Sequence, residues 1–284
     1  MIPDWLAAQL PQDRTHIEVD GQRVHVMQQG EGRPVLLMHG NPTWGYLWRK
    51  VLPHLKGVRA VVPDLVGLGY SSRVSADQHT LQNHIRWIGG VWDALGLDEV
   101  VVVGQDWGGP VAFGAAAQRA DRVHGVVVLN TVVGPPKPGF KPTTFHRFSR
   151  APVVSDLVFR QLGFPQRMLG IAQGDRASIG PDETRAYRAP LPRGAQAPLA
   201  LARMVPDSMR HPSVQPLTDI RRFIEGWEGP AEIVWGDRDP ILGRLRRRTE
   251  RLLPQARVTA TDAGHFLQEE VPEAIAAAIN RVAG

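Results

Sequence analysis

The residues with most chemical content lie at Val100-Val101-Val102-Val103-Gly104-Gln105-Asp106-Trp107-Gly108-Gly109. A valine run with strand character ends in Gly-x-Asp-x-Gly and passes into an apolar helical stretch. Glycines on both sides of one residue are what a sharp strand-to-helix turn requires, because a larger neighbour would collide with the backbone. The residue at the apex is an aspartate. Helix capping alone would account for an Asp after a strand, but capping does not call for flanking glycines. Nor does it call for an acid and a histidine further along, in the order nucleophile, acid, base. Trp235-Gly236-Asp237-Arg238-Asp239-Pro240 offers two candidate acids, and Asp262-Ala263-Gly264-His265-Phe266 offers the base. We favour Asp239 over Asp237, since it lies deeper in its loop and can reach the second imidazole nitrogen of His265. Asp237 is then a turn-former or N-cap.

An aspartate nucleophile restricts the chemistry. Serine attack on a saturated carbon would leave an ether, which histidine-activated water cannot open. A carboxylate leaves an ester, whose carbonyl water can attack. Asp106 would displace a leaving group, and His265 would then deprotonate a water that attacks the Asp106 carbonyl carbon, with Asp239 steadying the imidazolium. The oxyanion of the second step needs fixed donors, for which the backbone N–H groups of Asn41 and Trp107 are placed. An anionic leaving group needs N–H donors in a dry pocket as well. The Trp107 indole, which donates and cannot accept, and the Asn41 amide suit that task. The competing roles are core packing for Trp107 and a local turn bond for Asn41.

Elements that would position these groups are legible along the chain. Two alternating segments, around His16–Val19 and Arg23–Gln28, meet at Asp20-Gly21, a hairpin dipeptide. Apolar runs then end at Met38, Pro63, Val103 and Leu129, and helical stretches are expected at Tyr46–Leu55, Leu81–Leu95 and Gly109–Ala120. Short apolar runs that break at Gly or Pro before helical periodicity mark strands buried on both faces, hence a mostly parallel sheet flanked by helices. Alternation stops between about Val132 and Pro216. It resumes with a strand at Glu232–Trp235, a helix at Leu242–Leu253, a strand at Arg257–Thr261 and a helix at Pro272–Val282. The reading is a core of residues 1–132 and 217–284 with an inserted helical cap at 133–216, patches such as Val153–Leu162 and Leu199–Met204 supplying its helices. Asp106, Asp239 and His265 all follow strands, at the edge where open α/β sheets bind ligands. No repeat or low-complexity tract is evident.

Composition sets the outer bounds. With 284 residues, 43% of them hydrophobic and 21% charged, the chain reads as an ordinary globular protein. It has no cysteine, which removes disulfides, thiolate metal sites and thiol nucleophiles. We expect neither metal nor cofactor. The formal charge is +5, but its arginines are scattered, and the one dense run, Arg244 to Arg251, fits a solvated helix face better than a nucleic-acid surface. No long apolar stretch suggests a membrane span, and Met1-Ile2-Pro3-Asp4-Trp5 lacks the layout of a secretory signal, so a cytoplasmic location is expected.

Taken together, His39-Gly40-Asn41-Pro42-Thr43-Trp44, Asp64-Leu65-Val66-Gly67-Leu68-Gly69, Gln105-Asp106-Trp107-Gly108-Gly109 and Asp262-Ala263-Gly264-His265-Phe266 resemble the haloalkane dehalogenases of the α/β-hydrolase superfamily. The resemblance spans the core and is weakest across the cap. It implies an α/β-hydrolase fold, Asp106 as nucleophile, His265 as base, Asn41 and Trp107 as a halide-binding pair, and a small hydrophobic substrate that yields an alcohol, halide and a proton. One branch takes its acid after the strand preceding the cap, where this chain has Asn130, so the acid falls to Asp239. Another branch uses a second tryptophan from the cap, where this chain has none. Cap phenylalanines 145, 148, 159 and 164, with Leu162, could line an apolar slot or pack within the cap. A β-lactone decarboxylase of olefin synthesis resembles the same residue set. An epoxide hydrolase would resemble a pattern with two cap tyrosines, and this cap has only Tyr187. The oligomeric state is not implied.

Overall fold

Alternating apolar residues build one eight-stranded sheet in the computed structural model, which describes residues 2–140, 144–164 and 166–284. The strands are β1 (Asp13–Val19), β2 (Gln22–Gln29), β3 (Arg33–Met38), β4 (Val58–Pro63), β5 (Val100–Asp106), β6 (Val123–Thr131), β7 (Ala231–Gly236) and β8 (Arg257–Thr261). Their order is β1-β2-β4-β3-β5-β6-β7-β8. The β1-β2 and β2-β4 pairs are antiparallel, and all others are parallel. The opening hairpin turns at Asp20 and Gly21, with φ of 49° and 73°, the positive values its tight turn requires.

Successive side chains of a strand point to opposite faces, so an all-apolar strand feeds two cores. Val100 and Val102 of β5 join Leu36 and Val128 in one core, whereas Val101 and Val103 join Leu37 and Leu129 in the other. Helices α1 (Leu81–Ala94), α2 (Gly108–Ala117) and α3 (Val214–Glu225) close the first core through Ile85, Phe113 and Ile220. Helix α4 (Pro272–Ala283) closes the second through Ile275 and Ile279.

Between β6 and β7 the described residues form no strand. They carry helices at Thr144–Arg150, Pro181–Arg188 and Ala197–Arg203. This segment is fastened to the sheet side by polar contacts. The Trp44 indole donates to the Ala186 carbonyl at 3.1 Å, Arg73 to the Pro190 carbonyl at 2.7 Å, and the Tyr187 hydroxyl to Glu269 at 2.5 Å. Glu269 is itself buried and held by Arg49 at 2.6 and 2.9 Å.

Three expected helices differ. Residues 46–55 form two 3-10 turns, Gly45–Trp48 and Leu52–His54, because Pro53 has no N–H to continue an α-helix. The stretch 242–253 opens as a 3-10 turn at Gly243–Leu245 and is α-helical only over Arg246–Leu252. Residues 153–162 begin at Val153 with φ of 63° and pass through one α turn, Val154–Asp156, into a π turn, Leu157–Gln161. Phe148, Phe159 and Phe164 pack on one another with Leu199 and Ala202, while Leu162 is exposed. The side chain of Phe145 lies outside the described residues.

Candidate active site

The C-terminal ends of β3, β5, β6, β7 and β8 bring the candidate residues into one cluster. Asp106 ends β5 with φ of 50°, a conformation that a non-glycine residue adopts only when its surroundings hold it there. The surroundings are backbone packed at closest approach. A Cβ on Gly104 would strike Gly109, one on Gly108 would strike the Met38 carbonyl, and one on Gly109 would strike Thr131. Thr131 adds a hydrogen bond from its hydroxyl to the Asp106 carbonyl oxygen at 2.6 Å.

The Asp106 carboxylate is divided between two partners. Its Oδ1 accepts the backbone N–H of Asn41 at 2.7 Å, and its Oδ2 stands 3.5 Å from His265 Nε2. A side chain on Gly40 would displace that carboxylate, which explains the glycine after His39. The other ring nitrogen of His265, Nδ1, donates to Asp239 Oδ2 at 2.8 Å. Asp239 is the acid the sequence reading favoured. Asp237 instead faces outward and pairs with Arg246 at 2.8 Å.

Asp239 is buried and fully engaged. Ile241 and Leu242 donate backbone N–H groups to Oδ1 at 2.7 and 3.0 Å, and Asn130 Nδ2 donates to Oδ2 at 2.8 Å. Burial opposes its ionisation, but the charge and hydrogen bond of His265, followed by these donors, hold it below the usual carboxylate range. For His265, burial works against the imidazolium, yet Asp239 and then Asp106 outweigh it and raise the pKa to about 10.

Asn41 and Trp107 meet Asp106 differently. The Asn41 side-chain amide donates one hydrogen to the Pro198 carbonyl at 3.0 Å, which leaves its second hydrogen. Trp107 packs in the core at the N-cap of α2, and its indole N–H has no hydrogen-bond partner among the described residues. Tyr187 is wholly buried against Glu269 and presents no free hydroxyl.

Sequence reasoning gave no role to several supporting residues. Gln105, fully buried beneath the elbow, donates to the His265 carbonyl at 2.9 Å. Asp64 accepts from the N–H groups of Gly45 and Tyr70 at 2.7 and 2.8 Å and from His25 at 2.8 Å, so it ties the loop bearing Asn41 to the loop after β4. In the sequence Asp64 stood out by its place after a strand and as the first residue of a motif shared with the resembled family, neither of which assigned it a partner. No group of three or more potential metal ligands gathers among the described residues. A surface recess of about 470 Å³ bordered by Leu10, Asp13, Gln28 and Arg59 includes none of the site residues.

A mostly parallel sheet with an aspartate at a strained turn after β5, within reach of a histidine and a second aspartate after β8 and β7, is the arrangement of an α/β hydrolase. Consistent with this, residues 33–272 match the family model of the alpha/beta hydrolase fold. The chain is 35% identical over 269 residues to "Haloalkane dehalogenase 2" of Mycobacterium tuberculosis, covering 90% of each chain. It is 31% identical to the haloalkane dehalogenase of Psychrobacter cryohalolentis, covering 96% of this chain and 94% of that one. The crystal structure of haloalkane dehalogenase DatA from Agrobacterium tumefaciens C58 superposes with a TM-score of 0.84 at 25% identity, covering 95% of this chain and 97% of that one. The chain therefore belongs to the haloalkane dehalogenase family of the α/β hydrolases.

Proposed function

We propose that this protein hydrolyses the carbon–halogen bond of haloalkanes through an ester formed on Asp106. The observation that carries this reading is the division of the Asp106 carboxylate between an N–H donor and a histidine. Oδ2 attacks the carbon bearing the halogen, the C–O bond forms, and the halide departs with the bonding electron pair. Oδ1, already on the Asn41 N–H, becomes the carbonyl oxygen of the ester. Water then gives a proton to His265 Nε2 and attacks the Asp106 carbonyl carbon, and the developing oxyanion sits on the same Asn41 donor. Collapse releases the alcohol and restores the carboxylate. The net products are alcohol, halide and one proton.

The electrostatics order the two steps. In the resting site His265 lies between two carboxylates, whose charges raise its pKa and favour the imidazolium. Esterification removes the charge of one of them, so the imidazole gives up its proton once it is needed as a base. In this reading Asn41 and Trp107 hold the departing halide with the second amide hydrogen and the unpartnered indole N–H, and residues 133–216 act as a cap that keeps water out. The named relatives support the haloalkane reading over the β-lactone one, and the engagement of Tyr187 weighs against epoxide chemistry. The test is bromide and alcohol release from short bromoalkanes. Wild-type protein should release both, and the Asp106→Ala variant neither. Absence of both over a broad panel of bromoalkanes refutes the reading.

A further inference from the structure

The cap carries a partly open recess of about 80 Å³ whose lining includes Pro198, the residue whose carbonyl Asn41 holds. Four arginines, Arg160, Arg167, Arg188 and Arg193, line the same recess, and among the described residues no Asp or Glu does. Arg160 is tied to Asp156 at 3.2 Å. The other three are exposed and have no hydrogen bond or ion pair from their side chains among the described residues. A single exposed arginine without a partner is ordinary. Three around one small recess, none with a carboxylate partner, concentrate like charge that an anion would offset. The sequence shows the same bias on a larger scale. Residues 133–216 hold twelve Lys and Arg against five Asp and Glu, whereas the whole chain has 33 against 28, so the cap carries the entire positive excess. Beside the arginines the lining turns apolar, with Phe159 buried on Leu199.

We propose that this recess is a subsite for a carboxylate head group, so that the preferred substrates are halogenated carboxylates whose halogenated end passes Pro198 to reach Asp106. This rests on the dehalogenase reading above. Planar guanidinium groups match a carboxylate in shape as well as charge, and the apolar wall suits the methylene chain between head group and halogen.

The experiment compares kcat/KM for ω-bromocarboxylates of increasing length with their methyl esters, in wild type and in the triple variant Arg167→Gln, Arg188→Gln, Arg193→Gln. The single variant Arg193→Gln stands in should the triple variant fail to fold. The acid should be preferred over its ester by on the order of tenfold at the best length, given charge-assisted but partly solvated contacts. That preference should shrink with added salt and fall toward unity in the variant. An ester used as well as its acid, or a preference that survives the substitutions, overturns the proposal. So does a variant that changes only inhibition by bromide, which would make the arginines an exit path for halide. Titration of hexanoate into the resting protein separates the two claims. If no bromide is released from any substrate but wild type binds hexanoate and the variant does not, the dehalogenase reading falls and the anion subsite stands. If hexanoate does not bind wild type, the subsite is refuted.

Discussion

Neutralising Asp106 should lower the pKa of His265, which follows from the distance between them. The Asp106 carboxylate oxygen lies 3.5 Å from His265 Nε2. At the effective dielectric of about 20 that suits buried pairs, Coulomb's law gives about 5 kcal/mol, or roughly three to four pK units. The resting value of about 10 should therefore fall to roughly 6 to 7 in Asp106→Asn, whose amide mimics the uncharged ester. Asp106→Ala serves as a check against deamidation of the new side chain. Histidine side-chain NMR from pH 5 to 11 reads the titration directly. Wild-type His265 should hold its proton through neutral pH, and the variant should titrate with a midpoint lower by at least one unit. The hydrolysis step, followed in a single turnover, should then accelerate with pH through the lower value and level off above it. If His265 is neutral at pH 7 in wild type, or if both proteins share one midpoint, the idea that esterification releases the base is wrong.

Replacing His265 by Phe should leave the first step and block the second, so intact mass should show alkylated protein after exposure to a bromoalkane; unmodified protein counts against the two-step scheme. Asp239→Asn should slow ester hydrolysis by on the order of 10²- to 10⁴-fold, the usual worth of a positioned base, while a burst of halide persists. Because the pKa of His265 is raised, its stabilising contribution is present below about 6.5 and is lost as pH rises toward about 10. Urea unfolding should show stability declining across that window by up to about 5 kcal/mol, and a flat profile contradicts it. Asp64→Ala strips a buried acceptor from His25 and two backbone N–H groups and should cost about 3–5 kcal/mol in the same assay. A loss below about 1 kcal/mol would show that the loops hold without Asp64.

The elements whose physics is local were legible in the sequence. The valines of β5 and the glycines around Asp106 announced a buried strand and a sharp turn, and Asp20-Gly21 announced the hairpin. Asp239 was favoured over Asp237 for lying deeper in its loop, and in the structure it is Asp239 that meets His265 while Asp237 pairs with Arg246. What escaped depended on contacts between distant segments. Nothing near Thr131 or Gln105 in sequence shows that one would hold the elbow carbonyl and the other the backbone of His265. Pro198 meets Asn41 only because the chain folds back over the sheet, so the arginines gathered beside it had no sequence signature beyond composition. Residues 46–55 had helical spacing, but Pro53 divided them into separate turns.

Turnover in water enriched in oxygen-18, followed by mass analysis of the peptide containing residue 106, tests the covalent step most directly. Repeated turnover should load heavy oxygen into the Asp106 side chain, because the attacking water leaves its oxygen on the carboxylate. Label found solely in the alcohol, with residue 106 unchanged, would mean that water attacks the substrate itself and that no ester forms.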